Sequence, residues 1–159
     1  MSGPSAPANS TTRAGKYLTF GLGKEEFGLE ILRVREIIGI MHTTAVPEMP
    51  PYVKGVINLR GKVIPVIDIR LKFGMPEVER TSETCIIVVD VDGNLMGIIV
   101  DHVSEVLDIR MEEIEDAPNI GVATDNRFIL GMAKVKGQVK ILLDIGWVLS
   151  EAAALVEAV

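Results

Sequence analysis

Near the start of this chain hydrophobic positions recur with a period of two, and farther on they gather into apolar runs of strand length. Leu18, Phe20 and Leu22 alternate with Tyr17, Thr19 and Gly21, and Phe27, Leu29 and Ile31 alternate with Gly28 and Glu30. With Gly23-Lys24 between them, the two runs predict a β-hairpin that buries one face. Ile31, Val34 and Ile37 then recur at every third position, which predicts a helical turn before the β-branched run 37–40 resumes as a strand. Pro47, Pro50 and Pro51 withhold backbone donors and hold the residues before them extended, so 41–52 reads as an ordered connection.

The connection leads into a second hairpin, two β-branched runs around Asn58-Leu59-Arg60-Gly61-Lys62. Asp68 is placed to cap a short helical turn over 69–73, with Gly74 placed to end it, and a polar linker lies near 74–84. The pattern then restarts with a strand at 85–89, Asp92-Gly93 as a type I′ turn and a strand at 95–100. Phe27-Gly28 through Val34-Arg35-Glu36-Ile37 matches Met96-Gly97 through Val103-Ser104-Glu105-Val106 without a gap. Gly55, Gly61 and Asp68-Ile69 match Gly131, Gly137 and Asp144-Ile145 in the same way. Two related β subdomains follow, each with about five short strands, the number at which a small sheet curls and closes. A helix over 144–159 ends the chain, opened by the capping Asp144.

Composition narrows the function. Apolar residues make up 48% of the 159 residues, yet no run approaches the eighteen of a membrane span, and residues 1–15 lack the apolar core of a secretory signal. A disordered tail on a cytoplasmic protein is expected. The net charge of −6 and the 4% of aromatics speak against nucleic acid as a partner. Cys85 stands alone, which excludes a disulfide within the chain. Asp68, Asp101 and Asp144 each end an apolar run, and helix capping accounts for them at less cost than a catalytic or metal-binding cluster would. His42 and His102 have no zinc spacing, and no phosphate loop, nucleophile elbow or dinucleotide fingerprint is present. The expectation is no catalytic residues, no cofactor and no metal. What remains is surface. Ile31, Val34 and Ile37 with their counterparts Val100, Val103 and Val106 line a seam between the halves that is either core or an open groove for an amphipathic helix. Arg60 is either a solvated turn residue or an interface anchor.

The run Gly55-Val56-Ile57-Asn58-Leu59-Arg60-Gly61-Lys62-Val63-Ile64-Pro65-Val66-Ile67-Asp68 is preceded by Val34-Arg35-Glu36-Ile37 and followed by residues 97–107, and together these resemble the CheW-like family over about 16–149. The resemblance implies a mostly β fold of two small five-stranded SH3-like β-barrel subdomains packed together, with short helices and the C-terminal helix. It implies a chemotaxis adaptor joining the cytoplasmic tip of chemoreceptors to the regulatory domain of the histidine kinase CheA, with other CheW copies as neighbours in membrane-associated arrays and no direct membrane insertion. The receptor-binding groove then falls on Ile31, Val34, Ile37, Val103 and Val106, and receptor and kinase coupling on Glu36 and Arg60. Asn58, Gly61 and Lys62 become kinase-binding candidates. The length leaves no room for a receiver or ATP-binding domain, so the stand-alone form is expected. The competing classes are a scaffold of a non-flagellar pathway, a small β-barrel enzyme using the aspartates, and a nucleic-acid-binding double barrel.

Overall fold

The computed structural model describes residues 13–116 and 128–157. Of the expected tail, 1–12 lie outside the described residues, while Gly15 already pairs with Ile109 at the start of a sheet. The strands are β1 (Gly15–Leu22), β2 (Glu25–Glu30), β3 (Val34–Gly39), β4 (Val53–Leu59), β5 (Lys62–Asp68), β6 (Cys85–Val91), β7 (Asn94–Val100), β8 (His102–Ile109), β9 (Ile114–Glu115), β10 (Ile129–Val135) and β11 (Gln138–Leu143). Two helices, α1 (Ile69–Lys72) and α2 (Ile145–Glu157), follow β5 and β11.

The strands form two sheets. Sheet I has the order β8-β1-β2-β11-β10-β9 and sheet II the order β3-β6-β7-β5-β4. The internal repeat is real, but its halves are not the two sheets. The β1–β2 hairpin of the first half joins β8 and β11 of the second, while the β6–β7 hairpin joins β3 and β5 of the first. The expectation that each half closes on itself is therefore corrected, because each half has a hairpin whose outer edges are completed only by the other half.

Burial explains the patterns. In β1, Leu18, Phe20 and Leu22 enter the main core between the sheets while Tyr17 faces a second cluster within sheet I. In β6, Ile87, Val89 and Val91 enter the main core while Ile86 and Val88 enter a third cluster within sheet II. A strand covered on both faces reads as an unbroken apolar run, which is why 85–89 shows no alternation. Ile145, Val148, Leu149 and Ala152 on α2 share one helical face and close the main core. Asp68 caps α1 by accepting from the Arg70 and Leu71 amides, and Asp144 accepts from the Trp147 amide at 3.1 Å.

The every-third spacing at 31, 34 and 37 has a different cause from the helix it suggested. Only Ile31–Arg33 form a 3-10 turn, and Val34 and Ile37 lie on β3. Val34 opposes Val89 and Glu36 opposes Val88, so Arg35 is the extra residue of a β-bulge. The bulge returns Val34 and Ile37 to one face, the face of Val89 and Ile87. Ser104 makes the same bulge in β8, where Val103 opposes Phe20 and Val106 opposes Leu18. The Thr19 hydroxyl accepts from the Glu105 amide at 3.1 Å and donates to its carbonyl at 2.9 Å, satisfying the backbone beside that bulge.

Each sheet also curls until the chain leaving one edge strand meets the other edge. Past β3, Thr44 exchanges two backbone hydrogen bonds of 2.8 Å with Val56 of β4, and past β8, Ile114 of β9 pairs with Ala133 of β10. The crossing chain lies against Gly55 in one sheet and Gly131 in the other. A Cβ on Gly55, at φ 137°, would stand 2.0 Å from the Thr44 carbonyl oxygen, and one on Gly131 would stand 2.7 Å from an Ile114 methyl. Gly55→Ala must therefore push backbone apart, and it is expected to destabilise by more than about 2 kcal/mol. Gly131→Ala meets the Ile114 methyl and, at 3.0 Å, the Glu115 carbonyl oxygen, a smaller overlap than at Gly55 and without its positive φ, and is expected to cost less. Urea melts of both variants beside wild type check the order.

Candidate interaction site at the margin of the two sheets

The bulges decide where the predicted site residues lie. Val34 and Ile37 extend the core-facing side of sheet II onto its edge strand β3, and Val103 and Val106 do the same for sheet I on its edge strand β8. Val34, Val103 and Ile31 are half-buried and pack on the main core. Ile37 and Val106, equivalent in the repeat, are 45% and 50% exposed. Val100, the counterpart of Ile31, is wholly core. The choice between core and open surface is thus resolved residue by residue, and the apolar faces run out to solvent at both edge strands.

Glu36 points to the opposite face of β3, the side of Val88, and its carboxylate pairs with the Arg60 guanidinium. Arg60 and Gly61 form the two-residue β4–β5 turn, Arg60 at φ 53°, and the Arg60 side chain is 69% exposed. Asn58 is engaged in holding that turn, since its Oδ1 accepts from the Gly61 amide at 2.8 Å. Lys62 lines an open cavity of about 310 Å³ with Val63, Leu95, Met96 and Val156. Sequence reading passed over two exposed apolar residues beside these sites, Leu32 at 86% and Val63 at 66%. Each stands next to an isoleucine that turns inward, Ile31 and Ile64, so an apolar pair in the sequence does not tell which of its two members is exposed.

A polar cluster also went unnoticed. Glu26 of β2 accepts from the Ser104 hydroxyl at 2.8 Å, meets His102 Nε2 at 3.1 Å and lies 3.6 Å from Lys140 Nζ. His102 and Ser104 belong to β8, and β1 runs between β8 and β2. Gly21 makes that reach possible, because any Cβ there would fall 2.1 Å from the imidazole. The readable signal was Lys140, which sits where the repeat places Ile64 and is 5% exposed. The carboxylate is the hub of the cluster. Ser104 donates to Glu26 rather than to His102, so the arrangement lacks the serine-to-base hydrogen bond that would activate a nucleophile. Among the described residues no group of three or more His, Cys, Asp or Glu gathers as a metal site would.

Asp101, at the point where the chain passes from sheet II to sheet I, caps no helix. It takes a two-point ion pair from Arg70, Nε to Oδ1 at 2.8 Å and Nη2 to Oδ2 at 2.6 Å, and a 2.7 Å hydrogen bond from the Gly23 amide. This corrects the capping expectation for Asp101.

A family model for the CheW-like domain matches residues 16–153. The chain belongs to the CheW-like domain family. It is 39% identical to the chemotaxis protein CheW of Klebsiella aerogenes over 91% of this chain and 87% of that one. It is 36% identical to CheW of Rhizobium meliloti over 84% of this chain and 92% of that one. Among solved structures it is similar to the scaffolding protein CheW of Thermoanaerobacter tengcongensis, with a TM-score of 0.78 and 35% identity over 86% of this chain and 92% of that chain. The mostly β fold with two packed β subdomains is the one expected of this family. Among the described residues no helix is long and apolar enough to cross a membrane.

Electrostatics at the sheet crossing give a pH dependence of definite sign. The Arg70 hydrogen bonds hold the Asp101 carboxyl below its ordinary value, burial opposes them, and the Gly23 amide adds to them. For Glu26 burial raises the value, but the bonds from Ser104 and His102 and the charge of Lys140 together outweigh it and leave it lowered. Glu30 goes the other way, raised first by burial. A lowered folded value contributes stability above the unfolded value, lost as pH falls through the folded one, which for these carboxylates means below about pH 4. The raised Glu30 contributes its stability below the unfolded value and loses it as pH rises. Asp101→Asn is expected to cost about 1–3 kcal/mol at pH 7, a difference that shrinks in acid. Glu30→Gln is expected to be neutral or stabilising at pH 7. Denaturation of the three proteins at pH 7 and pH 3 checks both signs.

Proposed function

We propose that the protein is a non-enzymatic chemotaxis scaffold that couples chemoreceptors to the histidine kinase CheA, working in the cytoplasm at receptor arrays. One observation carries this reading: in a chain of the CheW-like family, Val34 with Ile37 and Val103 with Val106 bring the apolar faces of both sheets to the surface at two equivalent edge strands. A receptor helix whose apolar residues recur at three and four fits such margins, and each exposed Ile or Val it covers contributes at ~25 cal/mol per Å² of apolar surface removed from water. Further copies of the same fold, including the kinase's regulatory domain, are the neighbours proposed for the β4–β5 end, where Lys62, Val63 and the Glu36–Arg60 pair are presented.

The charged pair suits a coupling role because it is cheap to the fold. An exposed ion pair contributes about 0–1 kcal/mol, whereas a guanidinium covered by a partner makes several directed hydrogen bonds. Ile37→Asp is the cleanest probe of the apolar margin, since Ile37 is exposed while Val34 and Val103 also support the core. Ile37→Asp and Arg60→Glu are expected to melt within about 0.5 kcal/mol of wild type and to weaken receptor pull-down and kinase activation about tenfold or more. Arg60→Ala should fall between, because it removes the charge without setting a carboxylate against Glu36. Receptor binding at wild-type strength in all three variants refutes the assignment of these residues.

A further inference from the structure

The ladders that join each hairpin to the other half's strands all cross the middle of the chain. β1–β8, β2–β11, β3–β6 and β5–β7 each join a strand before residues 75–84 to a strand after them. Several ion pairs cross it as well, Arg13 to Asp116, Arg70 to Asp101, Lys72 to Glu151 and Lys140 to Glu26. Neither half can bury its own apolar faces, so each is a ready template for the other.

The covalent join between them is loosely held. Arg70 Nη1 donates to the Pro76 carbonyl at 3.2 Å and Lys54 pairs with Glu77 at 2.8 Å. Beyond that point Thr81 and Thr84 bond to one another, and Val78 is 48% exposed.

We propose that this chain has a second closed form, a reciprocal dimer in which residues 15–74 of one copy complete both sheets with residues 85–157 of another. The pairing surfaces do not register which chain supplies the matching half, so every ladder and ion pair above forms between the two copies as it does within one. What selects the monomer is the linker, which keeps the second half at an effective concentration of roughly millimolar. Shorten it until it cannot span the gap and exchange becomes the route to two complete sheets. Each dimer then carries two seams, each with Ile31, Val34 and Ile37 from one copy and Val103 and Val106 from the other, so a single assembly presents two candidate sites.

Cys85 provides the reporter. Its partner across the β3–β6 ladder is Gly39, where an added side chain meets open space. Antiparallel partners lie about 4.5–5.5 Å apart at Cα, within disulfide range, so Gly39→Cys can bond to Cys85 across the two halves. In the monomer that bond is within one chain, and in the exchanged form it links two. Two proteins carry the substitution, one with the full linker and one lacking residues 78–82, whose removal shortens its reach by about 17 Å. Each is refolded at low and high protein concentration, oxidised with oxidised glutathione and read by non-reducing electrophoresis, with circular dichroism and a thermal melt confirming native sheet.

The shortened chain is expected to give a natively folded covalent dimer. The full chain is expected to give an internally bonded monomer at low concentration and a dimer share that rises at high concentration. A shortened chain that still bonds internally, or that shows no native sheet, overturns the proposal, as does a full-length dimer share that does not change with concentration.

Discussion

The fold depends on an exchange of hairpins. β1–β2 leaves its own half to stand between β8 and β11, and β6–β7 leaves its half to stand between β3 and β5. The main core forms where these two hairpins face each other, with Leu18, Phe20, Phe27 and Leu29 from one and Ile87, Val89, Met96 and Ile98 from the other. Because apolar burial is the leading favourable term in folding, a chain organised this way gains most of its stability only when both halves are present. Cooperativity across the whole domain follows from topology rather than from any single contact.

The two interiors behind that core are not alike. The repeat places Ile64, Val88 and Ile99 of sheet II where sheet I has Lys140, Thr19 and Glu30. Sheet II is closed by aliphatic packing. Sheet I keeps its polar groups in by pairing them: Lys140 with Glu26, Thr19 with the β8 bulge, and the Tyr17 hydroxyl with the Arg13 carbonyl. Tyr17 is 1% exposed, and this burial, helped by the nearby Glu30 charge, pushes its phenol up to about 12. Paired charges in low dielectric return less than apolar packing of the same volume, so sheet I is the more pH-sensitive partner in the pair.

That asymmetry leaves the outer margins alike. Bulges at Arg35 and Ser104 add one residue to each edge strand and turn a short apolar stripe toward the sheet boundary. A bulged edge resists indiscriminate strand pairing through its backbone while presenting side chains, as the partner-binding role proposed for it would require. The Glu36–Arg60 pair lies on the other face of the same strand, so a partner that covers the edge of β3 can reach both.

Sequence by itself determined the local pieces. Alternation and apolar β-branched runs marked the hairpins, Asp92-Gly93 marked a tight turn, the stretch from Asn58 to Lys62 marked another reversal, Asp68 and Asp144 marked helix starts, and the matched glycines marked a duplication. Each of these is settled within a few residues by backbone sterics, capping or burial of one face. Tertiary structure alone decided which hairpin pairs with which half, since an exposed strand edge accepts any strand of suitable pattern and only the packed core selects among them. It alone showed that the three-residue spacing at Val34 and Ile37 comes from a bulge, because period reads identically for a helical turn and for a strand with one residue added. Asp101 found its partner on α1 and Glu26 and Lys140 found each other across a β-ladder, and a charge whose partner lies 31 or more residues away leaves no mark in its own neighbourhood.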